Sequence, residues 1–296
     1  MIDVDFLGIG VQKSATSWLF DNLRDHPDIW MPPRKELHYF DRSINYLSPS
    51  FLATDKYIDR VKGTDEHNIL FRRKMDEELG FAIKTGNIKN ANWLRNYFCQ
   101  DISDNWYRSL FFEGKGKIKG EITPAYSILS VEDIRHIKQL FPDLKIILLL
   151  RDPVERAWSQ LKFLTKKDSF KTPLTKKKII EFIDSSFQVS RGDYYGIISR
   201  WRSVFSSDQL FTGYYDEVIK SPKQLLSKLF SFLNVDPEDS SFEHLHKKSN
   251  VSPFFEMPEE VKEYLIAKYT DEVIKLLSIH PSYHVERWLR EYQSYK

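Results

Sequence analysis

The chain alternates short, continuously apolar runs with longer stretches in which apolar residues recur at three- and four-residue spacing. Phe6-Leu7-Gly8-Ile9 is an apolar run ending at Gly10, and Ser14-Ala15-Thr16-Ser17-Trp18-Leu19 follows, with Leu19, Phe20 and Leu23 at helical positions. This predicts strand, tight loop and helix. The helix should stop near His26-Pro27, because proline disfavours helix in the residue before it. A second such unit is clearer: Lys145-Ile146-Ile147-Leu148-Leu149-Leu150 is apolar after its first residue, as a strand covered on both faces must be, and Arg151-Asp152-Pro153 opens a helix through Leu164. Farther along, a helix over Tyr194 to Phe205 leads into a strand pattern from Gln209 to Tyr215, a helix from Pro222 to Leu233, and a helical period again from Pro258 to Leu277. Strands alternating with helices predict an α/β fold, a mainly parallel central sheet with helices on both faces. Ligands in such sheets bind beyond the carboxyl ends of the strands.

Two regions break the pattern. Residues 43–118 are polar, aromatic-rich and poorly periodic, with helix signals near Thr54–Val61 and Asn90–Phe98, and read as insertions that shape a cleft. Residues 165–177 carry Lys166, Lys167, Lys171, Lys176 and Lys177 and read as a solvated, mobile loop before a helix that starts near Thr175. With no internal repeat or low-complexity linker, 296 residues fit one domain. Lys and Arg number 44 against 42 Asp and Glu. No general attraction to nucleic acid or membrane follows from that balance, so any basic site must be local. The single cysteine, Cys99, excludes an intramolecular disulfide and fits a reducing compartment, and no neighbour suggests an activated thiol. Met1-Ile2-Asp3-Val4-Asp5 has no basic leader and no long apolar stretch, so a soluble cytoplasmic protein is expected.

The first loop concentrates candidate chemistry. Gly10-Val11-Gln12-Lys13-Ser14-Ala15-Thr16-Ser17-Trp18 lies at a strand end and opens a helix, where free backbone N–H groups and the helix dipole favour an anion. Lys13 adds a positive charge, and Ser14, Thr16 and Ser17 add hydroxyl donors. A capped helix with a surface lysine would account for Ser14 or Thr16 alone but not for the cluster. The loop also departs from the pattern of ATP- and GTP-hydrolysing enzymes, which place Gly-Lys-Ser/Thr after a glycine and four residues. Here Lys13 follows Gly10 by only three residues and no glycine precedes it, which disfavours a nucleotide kinase or similar phosphoryl transferase.

The loop resembles that of the PAPS-dependent sulfotransferase family, Gly-x-x-Lys-x-Gly/Ala-Thr-Thr/Ser. The resemblance continues at Arg151-Asp152-Pro153-Val154-Glu155-Arg156-Ala157-Trp158-Ser159 and at Lys35-Glu36-Leu37-His38-Tyr39-Phe40-Asp41, the latter similar to the branch that modifies glycosaminoglycans and to its bacterial relatives. Glu121-Ile122-Thr123-Pro124-Ala125-Tyr126 looks like that branch's Glu-Lys-Ser/Thr-Pro-x-Tyr, with Ile122 in place of Lys, which speaks against a polyanionic glycan as acceptor. The resemblance implies a P-loop-like nucleotide-binding fold. It also implies 3′-phosphoadenosine-5′-phosphosulfate as donor and no metal; no His/Cys/Asp spacing suggests one. Its implied donor-binding residues are Gln12, Lys13, Ser14, Ala15, Thr16, Ser17 and Trp18 at the 5′-phosphosulfate and Arg151 and Ser159 at the 3′-phosphate. Lys247-Lys248-Ser249-Asn250, before Pro253, stands in the place of a basic loop that closes over the donor in relatives.

Sulfuryl transfer resembles phosphoryl transfer, with in-line attack at a loose transition state and negative charge growing on the oxygen that leaves with the nucleotide. It needs cations and N–H groups at the leaving side and a base at the attacking side. Lys13 suits the first task; the resemblance assigns the second to Glu36. His38 is the rival, since a neutral imidazole accepts a proton near pH 7. An extended Lys35–Phe40 would put Glu36 and His38 on one face. Trp30, Tyr39, Phe40, Trp93, Trp106 and Tyr126 suit stacking on a sugar or aromatic acceptor, with core packing the expected role for at least half. The implied partners are a nucleotide donor and a small-molecule or glycan acceptor, without nucleic acid or membrane. A non-catalytic nucleotide- or carbohydrate-binding relative retaining the same pocket is the alternative from another class.

Overall fold

The computed structural model describes residues 3–48, 50–166, 175–247 and 256–295. Five parallel strands form one sheet in the order β2-β3-β1-β4-β5. They are β1 (Phe6–Gly10), β2 (Ile29–Trp30), β3 (Ile118–Ile122), β4 (Lys145–Leu150) and β5 (Leu210–Tyr214). Side-chain alternation divides the core in two. Phe6 on β1 and Ile147 and Leu149 on β4 face helix α1 (Thr16–Arg24) and the helix Pro222–Leu233. Leu7, Ile9, Ile146, Leu148 and Leu150 face a thicker helical layer that includes Val131–Leu140, Pro153–Lys166, Tyr194–Arg202 and Glu259–Ile279. A run of apolar residues is required in β1 and β4 because both sides of these strands are buried.

The expected strand–loop–helix units stand within a few residues of their expected limits: β1 with α1, β4 with Pro153–Lys166, and β5 between Tyr194–Arg202 and Pro222–Leu233. The C-terminal helical period runs over Glu259–Ile279, and a further helix, Tyr283–Gln293, docks with Val285 and Trp288 fully buried. β3 is interrupted by Lys119 and Gly120, so its apolar pattern is weak, and the two-residue β2 has none to show. Residues 43–118 form a chain of helices, among them Tyr57–Lys62, Glu66–Met75, Ile88–Phe98 and Asp104–Ser109. They close over the core with Phe71, Trp93, Tyr97, Phe98, Trp106 and Tyr107. The helix after the lysine-rich stretch is Lys176–Asp184, capped by the Thr175 hydroxyl, while residues 167–174 lie outside the described residues. Among the described residues no helix is long and apolar enough to cross a membrane.

Strand order places β1 between β3 and β4, so the loops after all three leave the same sheet edge, where the strand order reverses. Close backbone approach keeps them adjacent. Gly10 has φ 131°, and a Cβ there would lie 2.7 Å from the Pro124 carbonyl oxygen. At the other end, Gly120 sits beside Phe6 in the β1–β3 register, and its Cβ would meet the Phe6 carbonyl oxygen at 2.4 Å. Backbone on a central strand has little freedom to move aside. Gly120→Ala is therefore expected to destabilise the protein by about 2 kcal/mol, seen as a lower urea midpoint at unchanged slope; an unshifted midpoint would mean that the two strands separate easily.

Candidate active site

The loop between β1 and α1 is built for an anion. Lys13 and Ala15 take the left-handed conformation, at φ 69° and 63°, and alternate with residues of ordinary φ. That alternation turns successive N–H groups toward one concave side. The Ser14 hydroxyl is fully buried without a hydrogen-bond partner, as is Nε of Arg151. Nη1 of Arg151 donates to the Lys13 carbonyl at 3.2 Å, joining two loops 138 residues apart. Its guanidinium lies 4.3 Å from the Tyr215 ring centroid and its other terminal nitrogen reaches Glu155 at 3.4 Å. The unmatched hydroxyl and guanidinium nitrogen beside a helix N-terminus suit the oxygens of a phosphate or sulfate. Nζ of Lys13 lies 4.0 Å from the centroid of Phe163, on the helix that carries buried Ser159. Gln12 is half-buried, and Trp18 is buried with its ring N–H on the Leu245 carbonyl at 2.8 Å.

A second segment runs across the mouth of this loop. Glu36 and His38 are both left-handed, at φ 63° and 56°, so Lys35–Phe40 is not the extended stretch that side-chain alternation suggested. The two side chains nevertheless meet: His38 Nε2 is 3.6 Å from Glu36 Oε2. They meet because backbone bonds hold the turns, namely Glu36 N–H to the Ile122 carbonyl, Leu37 N–H to Glu121 and Tyr39 N–H to the Tyr126 hydroxyl. Nδ1 of His38 lies 2.8 Å from the buried Asp41 carboxylate. Burial works against charge on His38, but Asp41 and then Glu36 outweigh it and push its pKa up to about 9. For Glu36 burial likewise favours the neutral acid, yet the hydrogen bond with His38 and the charge of Lys35 hold the carboxyl well below the usual carboxylate range. At neutral pH the arrangement is therefore imidazolium and carboxylate. That leaves Glu36, whose side chain is 40% exposed, as the group able to accept a proton, and removes the neutral imidazole that made His38 its rival.

Lys35 is the residue that sequence reasoning passed over. Its ammonium donates to Thr16 Oγ1 at 3.2 Å, to Ser17 Oγ at 3.3 Å and to Glu36 Oε1 at 3.0 Å. It thus links the anion loop to the carboxylate. Only its place beside Glu36 could have signalled this, and a Lys-Glu pair is ordinary on a surface. Lys247 pairs with Asp21 at 3.2 Å, about one turn along α1 from Ser17. Lys248 lies outside the described residues. Asp25, Glu243 and His244 gather with ligand atoms within 4.8 Å at the opposite end of α1, where His244 Nδ1 is already 2.7 Å from Asp25. Of the six aromatic residues suited to stacking, Tyr39, Phe40, Trp93, Trp106 and Tyr126 are buried core, and Trp30 packs on the edge strand.

A parallel α/β sheet with an anion loop after its central strand, an arginine after the next strand and a carboxylate at the shared edge is an arrangement of the P-loop-like fold class. The chain belongs to the sulfotransferase family, whose model matches residues 6–239. Carbohydrate sulfotransferase 15 of Rattus norvegicus is 24% identical over 272 residues, and that of Mus musculus 25%. The match takes in 83% of this chain and 46% of either relative, so the chain spans about half their length. Among solved structures, a sulfotransferase from Alicyclobacillus acidocaldarius superposes with a TM-score of 0.64 at 21% identity, covering 97% of this chain and 99% of that one. Mouse sulfotransferase SULT7A1 complexed with PAP does so with a TM-score of 0.50 at 15% identity, covering 99% and 89%.

His38 gains its proton through folding, so its contribution to stability is complete below about pH 6.5 and is lost as pH rises through about 9. Its imidazole resonances are expected to titrate near pH 9 by NMR. A midpoint near the ordinary value of about 6.5 would overturn the imidazolium assignment.

Proposed function

We propose that the chain transfers a sulfuryl group from 3′-phosphoadenosine-5′-phosphosulfate to a hydroxyl or amine of a second substrate. One observation carries the reading: the Glu36 carboxylate lies a single ammonium's span from Thr16, the first residue of the helix behind the anion loop. A base and an anion cradle at that separation suit in-line displacement at sulfur, because the attacked atom must sit between them. The acceptor's proton passes to Glu36 while its oxygen or nitrogen bonds to sulfur. The electron pair of the breaking S–O bond stays on the nucleotide, where the loop N–H groups, the hydroxyls and Lys13 face the growing charge. Arg151, with Ser159, takes the 3′-phosphate. The relatives' name, carbohydrate sulfotransferase, supports a sugar as acceptor.

Arg151→Ala is expected to weaken adenosine 3′,5′-bisphosphate by about 2 kcal/mol, roughly thirtyfold, while leaving AMP nearly unaffected. Equal calorimetric affinity of mutant and parent for the bisphosphate would remove Arg151 from the donor site.

With an acceptor found by screening against radiolabelled donor, Glu36→Gln is expected to keep nucleotide affinity and lower kcat by roughly 10²-fold, the usual loss for a general base. Lys13→Ala should damage both, since the lysine faces charge already on the donor and charge that develops on the leaving oxygen. Near-parental turnover in Glu36→Gln alongside an inactive His38→Ala would move the base to His38.

A further inference from the structure

Lys35 occupies an unusual place for a cation. Its ammonium stands against the N-terminus of α1, the positive end of a nine-residue helix, bonded to the hydroxyls of its first two residues. A helix N-terminus repels a cation unless negative charge lies nearby. Glu36 at 3.0 Å supplies part of that charge, and an anion on the loop would supply the rest. The ammonium's three protons have three acceptors within 3.3 Å, so the group is held at one point, and the side chain is only 20% exposed. A hydroxyl that accepts from an ammonium becomes a stronger donor itself. Lys35 thereby primes Thr16 and Ser17 to bind an anion. Lys13, the lysine of the loop itself, has its ammonium 4.0 Å from the Phe163 ring centroid.

We propose that Lys35 is a catalytic cation of the sulfuryl transfer, standing between the base and the leaving oxygen. The inference rests on the donor and reaction proposed above. In the ground state its ammonium is shared between Glu36 and the loop hydroxyls. As the acceptor's oxygen or nitrogen bonds to sulfur, its proton moves to Glu36, whose negative charge disappears. The bond from sulfur to the nucleotide's phosphate oxygen breaks with its electron pair left on that oxygen, giving adenosine 3′,5′-bisphosphate. Negative charge thus passes from one side of Lys35 to the other while the ammonium keeps its protons. An interaction that strengthens with the charge on the leaving oxygen lowers the barrier more than it tightens ground-state binding. Lys35 also helps to hold Glu36 ionised.

The test compares parent, Lys35→Ala and Lys35→Arg in two measurements. One is calorimetric binding of adenosine 3′,5′-bisphosphate; the other is consumption of radiolabelled phosphosulfate donor, with water as the acceptor. Lys35→Ala is expected to bind the bisphosphate within about threefold of the parent and to consume donor roughly 10²-fold more slowly. Lys35→Arg, which keeps the charge, should recover at least tenfold of that loss. Parental donor consumption by Lys35→Ala would overturn the inference while leaving the reaction in place. So would parallel losses of binding and turnover with Lys35→Arg still binding, since Lys35 would then be a binding cation alone. A parent that neither binds the bisphosphate nor consumes the donor overturns the proposed reaction, and the role of Lys35 with it.

Discussion

The buried carboxylate of Glu121 is the interaction on which the site depends. It lies at the carboxyl end of β3 with no solvent exposure and accepts from the Thr123 hydroxyl at 2.6 Å, Tyr126 at 2.7 Å, Tyr107 at 3.0 Å and the Leu37 N–H at 3.3 Å. Burial pushes its pKa up, while these donors work in the other direction. Each hydrogen bond to a charged group is worth about 1.5–3 kcal/mol, so several together can offset the desolvation of one carboxylate. Tyr126 then receives the Tyr39 N–H, and Tyr97 donates to the Leu37 carbonyl at 2.8 Å. Through these bonds a rigid sheet end dictates the path of residues 36–39.

That rigidity explains how two adjacent left-handed turns persist without glycine. A non-glycine residue in this conformation costs on the order of 1 kcal/mol or more, and such strain survives only where surrounding bonds over-determine it. Here the cost goes to placing Glu36, which is tied on both sides while its carboxylate remains accessible. The aromatic cluster supplies the backing, with Tyr39 stacked on Tyr107 at 4.7 Å and Phe40 edge-on to both Tyr107 and Tyr126. The rings that looked suited to substrate serve instead to hold the hydroxyls and backbone that position the base.

Charge alternates along one line through the site: the Asp41 carboxylate, the His38 imidazolium, the Glu36 carboxylate, the Lys35 ammonium and the hydroxyls at the start of α1. Every internal member touches an opposite charge on both sides or a dipole on one, which is the condition under which a partly buried set of ions does not lose more in desolvation than it gains in attraction. The line also makes base and anion loop electrostatically interdependent. The sheet and its flanking helices superpose on a solved sulfotransferase at only 21% identity, because backbone geometry tolerates wide change in sequence.

The sequence by itself determined the elements whose signals are local. β1, β4 and the helices after them were legible because a strand buried on both faces must be apolar throughout and a helix against it must repeat every three or four residues. The anion loop and the Arg151 loop were legible because each is a short motif at a strand end. Tertiary structure alone decided the rest, and the reason is distance along the chain. Glu121 reaches Leu37 across 84 residues, and Arg151 reaches Lys13 across 138. Lys247 read as part of a basic loop over the donor, and its ammonium pairs with Asp21, 226 residues away. Lys35 looked like half of a surface ion pair until the sheet order brought α1 beneath it. A side chain's partner is set by which loops the sheet gathers at one edge, and no periodicity within a segment carries that information.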